Sequence, residues 1–243
     1  MSLCVYAVIA SNGGRPGTTG LAGERLRAVS VGSLSAIVGE IGRPPRPTEA
    51  SLRKYDRVIS RLAGRSSAIL PARYGTVFRD LDELSLMLGS RQQPLRRQLQ
   101  VVRNRVQMTI RLVVPEGADP PVGPATPPHR ASAAGTPVSG RPGEPDRVRP
   151  TRATSGAAYL RERVAAAARS REIPGFDPVR AAVRRWVREE RVERHNAVAS
   201  VYHLIPQGSV DQYRRAVERA ARAAGLRLVI SGPWPPYAFA SPF

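Results

Sequence analysis

Apolar positions along the chain recur in two ways, alternating with polar ones or returning every three to four residues. Leu3–Ala10 is a run of strand formers ended by Ser11-Asn12-Gly13-Gly14, a turn composition, and predicts a first strand. Arg27–Ser30 and Leu34–Val38 flank Val31-Gly32-Ser33 and predict a hairpin. After Pro44-Pro45-Arg46-Pro47, Thr48 is placed to cap a helix in which Leu52, Tyr55, Ile59 and Leu62 recur at helical spacing, with Gly64 past its end. Ala68–Tyr74 reads as a short strand. Asp80-Leu81-Asp82-Glu83 has the form of a capping box and leads into the stripe Leu84, Met87, Leu88. Pro94 fits the first turn of a further helix carrying Leu95, Leu99 and Val102. Val106, Met108, Ile110, Leu112 and Val114 then alternate with Gln107, Thr109 and Arg111, the pattern of a half-buried strand.

Residues 115–155 break both patterns. Ten prolines fall among these 41 residues, mixed with Gly, Ala, Ser and Thr, which denies the segment a helix or a sheet ladder and predicts a flexible linker. Beyond it, Ala157–Arg171 reads as an alanine-rich helix, and Asp177-Pro178 as the cap and first position of another, with Val179, Val183, Trp186 and Val187 as its stripe. Glu189, Glu190 and Glu193 stand among Arg188, Arg191 and Arg194, which reads as a solvated helix face with ion pairs. Ala197–Ile205 is a strand. Ser209-Val210-Asp211-Gln212 opens a helix with Tyr213, Val217, Ala220 and Ala221 inward and Gly225 as its stop, and Leu226–Ile230 is a strand. The expected fold class is α+β: an N-terminal α+β domain over 1–114, the linker over 115–155, and a helical plus α+β domain over 156–243. No fixed-period repeat is visible.

Composition narrows the function. At 243 residues and 42% hydrophobic, the chain can build cores and is not wholly disordered. Its longest apolar runs are too short to span a bilayer, and no basic residue precedes Leu3–Ala10, so neither a membrane span nor a secretory signal is expected. One cysteine, Cys4, excludes a disulfide framework within the chain and a cysteine-based zinc site, and a cytoplasmic setting follows as the simplest. The charge is unusual: 38 basic against 19 acidic residues, net +19, with Lys54 the only lysine. It is spread over both halves, with +11 on 1–114, +1 on 115–155 and +7 on 156–243. Arg96-Arg97, Arg184-Arg185-Trp186 and Arg214-Arg215 could neutralise phosphates, so a basic nucleic-acid-binding protein is one reading. Aromatics make up only 5% of residues and no reading-helix, zinc-finger or aromatic-basic strand motif accompanies those arginines, which favours solvated helix faces instead. For catalysis the chain offers little. His129, His195 and His203 have no neighbouring nucleophile in sequence, and Gly13-Gly14-Arg15-Pro16-Gly17 lacks the Gly-Lys-Ser/Thr end of a phosphate loop. No enzyme, catalytic residue, metal site or cofactor is expected.

The C-terminus stands out. In Ser231-Gly232-Pro233-Trp234-Pro235-Pro236-Tyr237-Ala238-Phe239, three prolines stiffen an extended path and hold three aromatics at set spacings. Such a tail either closes its own core or docks on another protein, where aromatic anchors dominate binding. This element resembles the terminal signature of the gas vesicle protein F/L family. Ile69-Leu70-Pro71-Ala72-Arg73-Tyr74-Gly75-Thr76-Val77-Phe78 resembles that family's Leu-Pro-x-Arg-Phe-Gly-Thr run. Val5-Tyr6-Ala7-Val8, Ala157-Ala158-Tyr159-Leu160 and Tyr202-His203-Leu204-Ile205-Pro206 fit in the same order. Tyr74 replaces the usual Phe, Gln107-Met108 stands where members often show Glu-Trp, and the linker is unusually long.

The resemblance implies a non-enzymatic accessory or minor structural protein of gas vesicles, the gas-filled, protein-walled compartments of the cytoplasm that confer buoyancy. It implies two α+β domains, the second modified ferredoxin-like, without separating the F from the L type. The implied partners are the apolar major wall protein and other gas vesicle accessory proteins. Self-association is left open, and neither a specific nucleic acid nor a membrane is expected. Arg73, Tyr74, Gly75, Trp234, Tyr237 and Phe239 are the candidate interaction or signature positions.

Overall fold

Two antiparallel sheets organise residues 2–10, 16–113 and 173–240, the residues that the computed structural model describes. The expected turn at Ser11–Gly14, the linker at 115–155, the helix at 157–171 and His129 lie outside them. In the first sheet β1 (Ser2–Ala10) is flanked by the hairpin β2 (Arg27–Val31) and β3 (Leu34–Ile41) on one side, and by β4 (Ile69–Pro71) and β5 (Val77–Phe78) on the other. Every residue of β1 from Leu3 to Ile9 is buried, which is why its apolar run is continuous instead of alternating. A register shift between Val5 and Ala7 splits the run: Leu3, Val5 and Val8 enter one core cluster, and Cys4, Tyr6, Ala7 and Ile9 the other.

Helix α1 (Glu49–Ala63) closes the second of these clusters with Tyr55, Val58, Ile59 and Leu62. Thr48 caps it reciprocally with Ser51. Leu52, expected in the same stripe, is instead 45% exposed and lines the groove described below. The other cluster is closed by α2 (Leu81–Ser90) and α3 (Gln92–Val102) through Leu84, Leu88, Leu95, Leu99 and Val102. Asp80 accepts from the Glu83 amide at 2.8 Å, while the Glu83 carboxylate reaches back to the Arg79 amide, one residue further than a capping box requires.

The second sheet has the order β7 (Glu189–His195), β8 (Val198–Pro206), β6 (Arg105–Val113) and β9 (Leu228–Trp234), antiparallel throughout. Its β6, which the sequence reading counts with the N-terminal half, is a central strand here. Residues 1–114 and 173–243 accordingly form one compact unit. Helices α4 (Asp177–Val183) and α5 (Val210–Ala223) pack on each other, and Tyr213 of α5 reaches His203 of β8.

Local readings are corrected at several points. The charged run expected as a helix face is the strand β7. It is paired with β8 along its whole length after a turn in which Asn196 takes φ +51°. Pairing outweighs the modest helix preference of Glu and Arg. Asp177 is the first residue of α4 and not its cap, and Trp186 and Val187 lie beyond the helix end. Ser209 makes no side-chain cap, because a 3-10 turn over Gln207–Ser209 leads into α5. Strand β4 is only three residues long, and β9 runs on to Trp234. No described helix is long and apolar enough to cross a membrane.

Candidate functional site

After Pro71 the chain leaves β4 in a turn pinned from several sides. The Ala72 amide donates to the Tyr6 carbonyl at 2.9 Å, and the Tyr55 hydroxyl donates to the Ala72 carbonyl at 2.6 Å. Gly75 takes φ +78°, a conformation that a side chain would strain, and lets the Thr76 amide and hydroxyl both reach the Arg73 carbonyl. Tyr74 stands edge-on to Tyr55 with ring centroids 5.4 Å apart. Its hydroxyl lies 2.8 Å from both the Arg46 carbonyl and Ser51 Oγ. Burial raises the pKa of Tyr55, with the nearby Cys4 adding to it, so its phenol stays a neutral donor.

The C-terminal segment arrives from β9. Gly232 takes φ +110° with its backbone against β6, where an added Cβ would meet the Gln107 carbonyl at 2.7 Å. A cis Gly232-Pro233 peptide follows, then Trp234, and then a 3-10 turn over Tyr237–Phe239. Gln107 holds that turn: its Oε1 accepts the Ala238 amide at 2.7 Å. The Tyr237 hydroxyl donates to Asp56 Oδ1 of α1 at 2.8 Å, and burial together with that carboxylate raises the tyrosine's pKa, keeping the phenol protonated. Phe239 points the other way, 2% exposed, into the cluster that contains Leu204 and the helices of the first sheet.

These two segments and α1 enclose an open groove of about 670 Å³. Leu52, Tyr55, Pro71, Tyr74, Tyr237 and Ala238 supply apolar and aromatic wall, and Asp56, Arg73, Arg191 and Glu193 supply charge. Of the six candidate positions, the structure thus brings Arg73, Tyr74 and Tyr237 together. Gly75 shapes the turn beside them, and Phe239 anchors the tail. Trp234 sits apart, 38% exposed, against a smaller cavity of about 190 Å³ shared with Ile69, Val102 and the prolines 233, 235 and 236.

The family model described as gas vesicle synthesis protein GvpL/GvpF matches residues 2–241. The chain belongs to this family. Gas vesicle protein F of Streptomyces sp. (strain CB03234) is 26% identical over 251 residues, covering 98% of this chain and 99% of that protein. Two crystal structures share the fold at 13% identity. One is GvpF from Anabaena sp. PCC7120, with TM-score 0.67 and coverage of 99% of this chain and 98% of that one. The other is GvpF from Microcystis aeruginosa, with TM-score 0.66 and 99% of each. This is therefore a gas vesicle accessory protein, α+β with antiparallel sheets. The two segments whose sequence resembles the family's runs both contribute walls to the groove, although they lie far apart along the chain.

Sequence reasoning missed Asp56 and undervalued Tyr55 and Gln107. Tyr55 passed as one member of a core stripe, and nothing in the sequence links Asp56 to Tyr237, 181 residues away. A second polar cluster lies between the second sheet and its helices. The fully buried His203 places Nδ1 2.7 Å from the Tyr213 hydroxyl and Nε2 2.8 Å from Glu190 Oε2. Arg180 Nε stands 3.2 Å from each Glu190 oxygen. Burial alone would raise the Glu190 carboxyl, but the contacts from His203 and Arg180 outweigh it and hold it down at about 2. These four side chains satisfy one another, which gives the histidine a structural use. Among the described residues there is no group of three or more His, Cys, Asp or Glu that could hold a metal.

Proposed function

We propose that this chain is a non-enzymatic accessory protein that binds the apolar major wall protein, together with other accessory proteins, during gas vesicle assembly. The observation that carries this reading is the convergence of the 71–75 and 237–240 segments on one groove with an apolar and aromatic wall and a charged rim. A wall subunit with a face suited to gas exposes apolar surface that aggregates unless it is covered. A concave site with tyrosines and an exposed leucine offers such cover, and its charges orient the bound segment. Tyr74, Tyr237 and Arg73 are the contact residues in this proposal, with Gly75, Gln107 and Phe239 positioning them. Trp234 is a separate contact beside the smaller cavity.

The second sheet with its helices follows the chain order β6-α4-β7-β8-α5-β9 and the strand order β7-β8-β6-β9. That order supports reading it as the split β-α-β arrangement of a ferredoxin-like module, as part of the same proposal. In this reading residues 115–155 are a linker that falls between β6 and the rest of the module, and the first sheet with α1 to α3 forms the other module.

Capture of the purified major wall protein at physiological salt tests the binding role. The parent chain retains it, and Leu52→Asp, which places a charge on the exposed groove wall, reduces retention at least about tenfold. Absence of retention by the parent chain overturns the proposal. Retention of arbitrary DNA at the same salt would support the basic nucleic-acid-binding reading in its place.

A further inference from the structure

We propose that this protein self-associates through β7, by antiparallel pairing with β7 of a second copy about a two-fold axis at Val192. Among the described residues β7 pairs with β8 on one side and lies at the edge of its sheet on the other. An edge strand presents backbone N–H and C=O groups that can template another strand. The order of charges selects the partner. The strand reads Glu189-Glu190-Arg191-Val192-Glu193-Arg194-His195. Turned about Val192, Glu189 faces His195, Glu190 faces Arg194 and Arg191 faces Glu193, so each acidic residue meets a basic one and valine meets valine.

Directly opposed side chains in such a pair have Cβ atoms about 5 Å apart, close enough for charge to decide register. Slipping the register by two residues one way sets Glu193 against Glu193 and Arg191 against His195. Slipping it the other way sets Arg191 against Arg191 and Glu189 against Glu193. A parallel, in-register arrangement sets every charge against its like. A parallel arrangement offset by two would also match charges, but it is not two-fold and leaves each copy paired differently, so among closed two-fold arrangements the antiparallel register about Val192 is the one these charges favour.

The contributions are unequal. Glu190 already holds Arg180 and His203, so its cross-strand pair adds least. Arg191 and Glu193 are exposed and line the groove, so pairing sets the grooves of two copies side by side. Seven residues of strand make a smaller interface than the usual stable one, and a charge of +19 on each copy opposes approach. The dimer is therefore weak, and it forms as protein concentration rises.

Sedimentation equilibrium of the full chain over a wide concentration range reads this directly. The parent chain shows a monomer–dimer equilibrium. Arg191→Glu and Glu193→Arg each put like charges in the central pairs and weaken self-association by at least about tenfold. Mixing the two variants restores association, because each supplies the charge that the other lacks. Arg191→Glu also lowers the net positive charge, which alone would favour association, so its weakening separates strand pairing from general repulsion. A measurement independent of charge reversal uses Val192→Cys, which cross-links between copies under oxidised glutathione far faster than Val229→Cys on the opposite edge strand. A parent chain that stays monomeric, a mixture that does not reassociate, or equal cross-linking at the two edges overturns the proposal.

Discussion

Gln107 and Tyr74 are positions at which the sequence departs from the pattern it resembles, and the structure weights them differently. Gln107 is buried, and its side-chain oxygen is the partner of the Ala238 amide. Gln107→Ala leaves that donor without its acceptor, so a loss of about 1–3 kcal/mol is expected, read as a fall in thermal midpoint and faster exchange of the Ala238 amide. Tyr74→Phe removes only hydroxyl contacts at the rim with Arg46 and Ser51 and is expected to cost less than about 1 kcal/mol in the same melt. Glu190 gives a pH signature. Its folded carboxyl sits near 2 against an ordinary 4.5, so its contribution is complete above the ordinary value and disappears as pH falls toward 2. Glu190→Gln is expected to flatten stability between about pH 5 and pH 2, by roughly 3 kcal/mol, in denaturant titrations across that range.

Elements marked by a continuous apolar run, by a simple period or by turn residues were legible from sequence: β1, the β2–β3 hairpin, α1 to α3 and α5 all lie where those signals put them. Strand β7 was not, because its single apolar residue, Val192, gives neither period a stripe to follow, and its pairing with β8 is a tertiary fact. Strand β9 was legible only in part. Its Gly-Pro stretch reads as the end of a strand, yet the backbone continues along β6 by using Gly232 at φ +110°. That position tolerates no side chain, since an added Cβ would lie 2.7 Å from the Gln107 carbonyl, which is backbone and cannot swing away. Gly232→Ala is expected to destabilise the protein by more than about 2 kcal/mol, from strain at positive φ and the forced shift of β6. Gly208→Ala is the control: it has open space around it and no positive φ, and is expected to leave the melting midpoint nearly unchanged.

At the scale of the whole molecule, packing in the described residues links elements on either side of the proline run. Strand β6 belongs to the second sheet by hydrogen bonding, and Leu204 of β8 and Phe239 of the tail join one cluster with Leu3, Val5, Leu84, Leu95 and Leu99. The groove was legible only as two motifs. Their meeting depends on this shared core, for which a single sequence carries no pairing signal. If Phe239 is the bolt between the sheets, removing its ring should loosen both together. Phe239→Ala is expected to cost about 3–5 kcal/mol, since a fully buried aromatic leaves a cavity that rigid strands fill poorly. Amide exchange separates this from a local effect. With a shared core, protection in β1 and β3 falls by the same free energy as protection in β6 and β8, and unfolding remains one transition by calorimetry. Loss of protection confined to the second sheet, with β1 unchanged, would show that the two sheets unfold as separate units and that the tail serves only one of them.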